Sequence, residues 1–140
     1  MKTITHIIRR WRDILTKADT EPIGLFLSTV NLLYGVALLQ PGNTFANPAY
    51  ALIAAVAPEH VWGLYLLTAG ILGYLAIGLP STPLRLALSL TTAITWAYFA
   101  VQIAVASNFT AAGPYHFSLF ALTSFINHLR ILSSIRKAPQ

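Results

Sequence analysis

The chain has 140 residues, enough for one domain, with 56% hydrophobic and 9% charged residues and a net charge of +5. A soluble domain has about a quarter of its residues charged, so this composition points to lipid as the main solvent and places the positive balance at a membrane surface rather than on nucleic acid. Cysteine is absent and the single methionine is Met1, which excludes disulfides, thiolate metal sites, thiol nucleophiles, palmitoylation and methionine-rich copper chemistry.

Residues 1–19 read as an amphipathic helix. Ile4, Ile7, Ile8, Trp11, Ile14, Leu15 and Ala18 recur at helical spacing on one face, and Arg9, Arg10, Arg12, Asp13 and Lys17 occupy the other. Those charges bar it from crossing a bilayer. It is expected to lie in the headgroup plane on the cytoplasmic side, with Arg9, Arg10, Trp11, Arg12 and Lys17 as surface anchors that meet anionic headgroups. Packing against a cytoplasmic partner is the other reading. Asp19-Thr20-Glu21-Pro22 then breaks the helix and suits the cap and first turn of the next.

Residues 20–140 contain four long apolar runs, predicted as spans at about 22–39, 58–79, 84–106 and 114–135. The first rises about 27 Å, just enough for a hydrocarbon core. Ala49-Tyr50-Ala51 resembles a signal-cleavage site, but the apolar run before it is too long, so the first run is expected to be a retained anchor. Between the first and second runs, Asn47 and Pro48 open a short apolar helix that ends at Pro58. It is too short to cross and is expected to lie on, or dip into, the outer surface. Pro80-Ser81-Thr82-Pro83 is a tight turn, predicted to make the second and third spans antiparallel neighbours.

All nine Lys and Arg residues fall on one side of this arrangement. Lys2, Arg9, Arg10, Arg12 and Lys17 precede the first run, Arg85 follows the tight turn, and Arg130, Arg136 and Lys137 close the fourth. The connections 39–59 and 107–115 carry none. The asymmetry predicts an all-α, integral membrane four-helix bundle, multi-pass in a bacterial inner membrane with both termini cytoplasmic.

The four acids, Asp13, Asp19, Glu21 and Glu59, all lie outside the middle of the spans. The carboxylate pair of general acid–base catalysis is therefore missing, as is a mid-membrane proton carrier, and no enzyme is expected. Of the histidines, His60 and His116 begin spans on the outer side, where they form a candidate haem or metal pair if the helices touch. Two interfacial histidines without a ligand are the simpler reading, and no metal or other cofactor is expected. Gly63, Ala69, Gly70 and Gly73 allow another helix to approach closely. Asn31, Ser89, Thr92, Thr95, Gln102, Ser124, Asn127 and His128 are intramembrane polar groups, suited to helix–helix hydrogen bonds or to a wet lining. Asn108-Phe109-Thr110 matches a glycosylation triplet but sits in a short outer turn.

Asn31-Leu32-Leu33-Tyr34-Gly35 and Pro58-Glu59-His60-Val61-Trp62-Gly63, with the Arg85 turn and the Arg-ended fourth run, resemble small four-span membrane proteins of bacteriophages and prophages. The resemblance covers the spans, not the N-terminal helix, and it implies a source more than an activity. Since some such proteins are holin-like, it is compatible with a non-catalytic protein that self-assembles, as a homo-oligomer, to permeabilise the membrane. An accessory or scaffolding subunit bound to a membrane-protein partner is the alternative. A small transporter or a redox carrier with haem on His60 and His116 comes third.

Overall fold

A computed structural model describes residues 21–79, 81–108 and 113–136; the N-terminal amphipathic segment and its anchors Arg9, Arg10, Trp11, Arg12 and Lys17 lie outside them. The described residues are all-helical, without strands. The long helices are α1 (Glu21–Leu39), α3 (Glu59–Gly78), α4 (Thr82–Ala106) and α5 (Gly113–Arg136), and a single turn, α2 (Ala51–Ala54), lies between the first two. Prolines set the starts: Pro22, Pro83 and Pro114 fall in first turns, where a missing N–H costs nothing. Asn108 closes α4 with φ 49°, a left-handed conformation that Asn tolerates. Three helices, Pro22–Leu39, Glu59–Gly78 and Thr82–Ala106, are long and apolar enough to cross a membrane.

The long helices alternate in direction and pack as two close pairs, α1 with α3 and α4 with α5. Glycine makes the first pair. A methyl group on Gly35 would sit 2.8 Å from the Leu67 Cα and 2.9 Å from the Gly63 carbonyl oxygen. One on Gly70 would sit 2.8 Å from the Leu32 nitrogen and 2.9 Å from the Ser28 carbonyl oxygen. Gly63 meets Leu39, and Gly73 meets Ser28, along the same antiparallel seam. The backbones are close because no Cβ holds them apart. Gly63, Gly70 and Gly73 thus find their partner helix within the chain, and Ala69 lies half-buried near them.

The tight turn sets α3 and α4 side by side and antiparallel, although each packs more closely on another helix. They touch more loosely, through the long side chains of Trp62 and Tyr65 on Phe99 and Thr95. Those rings keep the two backbones apart, and the close partner of α4 is α5.

The connection from Gln40 to Pro58 folds over the end of the molecule where α3 begins. It comprises two 3-10 turns (Thr44–Ala46 and Pro48–Tyr50) that run into α2, a shorter helix than the apolar run 49–57 suggests. The Asn47 side chain accepts from the Ala49 N–H, and Pro48 follows as the first residue of its turn. The Glu59 carboxylate accepts from the Thr44 and Phe45 N–H groups at 3.1 and 3.3 Å, and the Trp62 indole donates to the Ile53 carbonyl at 3.3 Å. Ile53 is fully buried, so this connection packs on the helices beneath it. Burial raises the Tyr50 hydroxyl above its ordinary pKa, keeping it a neutral phenol stacked on Phe45.

The glycine seam is directly testable. Gly35→Ala should lose about 1–3 kcal/mol of stability, because backbone atoms block the methyl and the helices must part. Gly42→Ala, with nothing within 4 Å of the added carbon, should stay within about 0.5 kcal/mol. Thermal unfolding of the detergent-solubilised protein, followed by circular dichroism, compares them; equal stabilities would contradict the seam.

A polar cleft between the helices

Near the end where α1 and α4 begin, all four long helices border a half-open cleft of about 40 Å³. α1 contributes Ser28 and Asn31, α3 contributes Gly73, α4 contributes Arg85, Ser89 and Thr92, and α5 contributes Asn127. The arrangement follows from helical spacing. Ser28 and Asn31 are three apart, as are Ser89 and Thr92, and Arg85 lies one turn before Ser89.

Asn31 is the inner limit of the cleft. Its Nδ2 donates to Thr92 Oγ1 at 3.3 Å, and its Oδ1 accepts from Trp96 Nε1 at 3.0 Å. Asn31, Thr92 and Trp96 are all buried. Immediately beyond lies an aromatic cluster. Trp96 stacks on Phe117 with centroids 5.4 Å apart and meets Tyr34, Phe120 and Phe99 edge-on at 5.0, 5.3 and 5.7 Å. Such edge-to-face and offset pairs add specific attraction to the area they bury. They fill the space above Asn31 with ring carbon.

Below Asn31 the hydroxyls are mostly turned back on their own helices. Ser28 donates to the Gly24 carbonyl at 2.8 Å and Ser89 to the Leu86 carbonyl at 2.9 Å. Ser89 Oγ also meets His128 Nδ1 at 3.0 Å. With the serine proton committed to Leu86, the imidazole N–H is the donor in that contact. Asn127 differs from the rest. It is buried, and its Oδ1 has no hydrogen-bond partner. A buried acceptor without a donor costs about 1–3 kcal/mol.

The structure draws most of the predicted polar set inward. Asn31, Ser89, Thr92, Thr95, Ser124 and Asn127 are buried, and His128 and Gln102 are half-buried. Thr95 bonds Tyr65 at 2.8 Å, and Ser124 donates to the Phe120 carbonyl at 2.8 Å. Gln102 lies far along α4 from the cleft, ten residues beyond Thr92. His60 and His116 stand exposed in the first turns of α3 and α5. No group of three or more His, Cys, Asp or Glu that could hold a metal occurs among the described residues. Sequence reasoning missed three features: Ser28, the aromatic cluster, and the place of Arg85 in the cleft. The cluster had a signal, since Trp96 and Phe99, and Phe117 and Phe120, are each spaced three apart. Arg85 had none, because its Lys/Arg asymmetry explained it already.

Comparison with known protein families, characterised proteins and solved structures finds no match to this chain. Among the described residues, the cleft is lined by one guanidinium, two side-chain amides and several hydroxyls, with no carboxylate.

Asn31→Leu should cost about 1–3 kcal/mol, because the Trp96 indole N–H is left buried without an acceptor. Leu33→Ala, at a position 65% exposed, should cost far less in detergent. Unfolding midpoints of the two variants check the difference.

Proposed function

We propose that the chain is a non-catalytic, multi-pass protein of the bacterial inner membrane, a four-helix bundle with both termini cytoplasmic, acting as an accessory or scaffolding subunit of a larger membrane complex. One observation carries this reading. The faces through which such helices would self-assemble are occupied within a single copy. The glycines of α3 meet α1, and the Ser/Thr face of α4 meets Asn31, Tyr65 and His128.

The fourth span belongs to the proposal. α5 has 24 residues, and Asn127, His128 and Arg130 lower its hydropathy. Yet Asn127 is buried and His128 bonds Ser89, while Leu119, Leu122, Phe125, Ile126 and Leu129 are exposed. An apolar exterior with polar groups inside suits a helix that meets lipid on one side only. Thr68, Thr91 and Thr123 donate to carbonyls four residues back, which supports the same setting. Arg85 and Arg130 belong to one end of the molecule, and by the positive-inside rule that end is cytoplasmic. The basic residues Arg9, Arg10, Arg12 and Lys17 would meet anionic headgroups at the same face. The likeness to phage and prophage membrane proteins extends the proposal to a prophage source.

A holin-like lesion, the second reading, needs several copies to turn polar faces toward a shared lumen. Here those faces are turned toward each other, so assembly would use the apolar exterior instead.

Inducible expression in a bacterium, followed with a potential-sensitive dye, separates the two readings. The accessory subunit should accumulate in the membrane with potential and growth unchanged. Abrupt depolarisation after a lag would overturn that reading in favour of a lesion-forming protein.

A further inference from the structure

We propose that the connection between α1 and α3 is a lipid-binding element: residues 48–57 sit at the headgroup–acyl boundary of the outer leaflet, with Leu52 and Val56 turned to phospholipid. The inference rests on the multi-pass reading and goes beyond it by giving this segment a partner.

Polarity changes abruptly along the connection. Gln40, Asn43, Thr44 and Asn47 crowd its first half, and all four are exposed. From Pro48 to Pro58 the sequence is PAYALIAAVAP, in which the Tyr50 hydroxyl is the one polar side-chain group. No charged residue occurs between Gln40 and Pro58. The first half therefore suits water, and the second half suits something less polar.

The bundle covers only part of the apolar half. Ala49, Ile53 and Ala57 recur at four-residue steps and are buried or half-buried, with Ile53 in the core and Ala49 packed against it. Ala51, Leu52, Ala54, Ala55 and Val56 are exposed, Leu52 at 39% and Val56 at 66%. A helical segment at a water-facing surface carries polar residues opposite its buried stripe, whereas one that is apolar all round has apolar surroundings all round. Here the bundle supplies one side only.

The backbone is prepared for the same setting. In lipid a chain must satisfy its own N–H groups. The Ala49 N–H donates to Asn47 Oδ1, and the N–H groups of Tyr50, Ala51, Ala55, Val56 and Ala57 donate to carbonyls within the connection. Pro48 and Pro58 have no N–H to satisfy.

The helix exteriors bring lipid to this level. Exposed apolar side chains persist to the helix ends beside the connection: Leu39 in the last turn of α1, Val61 in the first turn of α3 and Val105 in the last turn of α4. Tyr115, 67% exposed in the first turn of α5, lies at the same end, where aromatic residues favour a membrane interface. A second copy of the chain fits the face less well. Between Ala49 and Ala57, Leu52 and Val56 are the only exposed side chains larger than a methyl group. That is too little for the about 1,000 Å² of a specific protein interface, whereas lipid has no such minimum. The neutral segment also needs no anionic headgroup.

Because the chain has no cysteine, single spin labels can be placed without removing a native residue. Leu52→Cys, Val56→Cys, Leu33→Cys and Asn43→Cys are labelled separately in the full-length protein and reconstituted into pure phosphatidylcholine vesicles. Relaxation by oxygen, which concentrates in hydrocarbon, is compared with relaxation by a water-soluble nickel chelate. Leu33, exposed within α1, is the lipid reference, and Asn43 is the water reference. Labels at 52 and 56 should favour oxygen over nickel, the reverse of position 43, at a shallower depth than position 33. Adding Val56→Asp should shift the label at 52 toward nickel and leave the label at 33 unchanged. Nickel preference at 52 and 56, with oxygen preference kept at 33, would overturn the lipid contact alone. Nickel preference at 33 as well would overturn the multi-pass reading together with it. Immobile labels at 52 and 56 that neither relaxant reaches would place a second copy there and overturn the proposal in its favour.

Discussion

The two close helix pairs meet over a contact whose polar part is centred on the side-chain amide of Asn31. α1 and α3 are joined by glycine, whereas the two pairs meet through side chains, aromatic at Tyr34 on Trp96 and Trp62 on Phe99 and polar at Asn31. There the amide gives one hydrogen to Thr92 and takes one from the Trp96 indole. An amide can do both at once, in opposite directions, from one short side chain. A hydroxyl at position 31 would lack the reach, and a carboxylate would place a charge in a dry interior. The orientation of Trp96 depends on this bond, and the aromatic cluster around Trp96 depends on that orientation. What holds the pairs together also divides the interior into a polar half and an aromatic half.

That division accounts for the position of the cleft. Above Asn31, rings of Tyr34, Trp96, Phe99, Phe117 and Phe120 pack against one another and fill most of the space between the helices. Below it small residues, Ser28, Gly73 and Ser89, leave space between the four backbones that the larger lining residues border but do not fill. The glycine seam thus has two effects. It draws α1 and α3 together along most of their length, and at Gly73 it leaves α4 and α5 without a bulky side chain to close against.

Much of the helix layout could be read from residues alone, because proline and apolar length mark helix ends without reference to any neighbour. The inward face of α4 was legible too, since Ser89, Thr92 and Thr95 recur at three-residue steps. Partner choice was not. Gly63, Gly70 and Gly73 announce a close approach, but a spacing pattern is the same whether the other helix belongs to this chain or to a second copy. The tight turn before α4 predicted the antiparallel neighbour but not the closeness of its packing, because chain proximity brings helix ends together and side-chain size decides how near the rest can come. Trp62, Tyr65 and Phe99 settled that between α3 and α4. Arg85 illustrates the same limit at the cleft. Its position near a helix start was plain, but its direction depends on the rotation of α4 about its own axis, which Asn31 and the rings determine.

The pairing of neighbours in the chain has a consequence for how the protein is made. α1 has its seam partner as soon as α3 exists, and α4 needs only α5. The molecule is therefore divisible at Ser81 into two successive hairpins, each able to complete its own backbone packing before it meets the other. During synthesis the first hairpin emerges and closes while the second is still being translated, and the Asn31 amide waits for Thr92 and Trp96 until the last helix pair arrives.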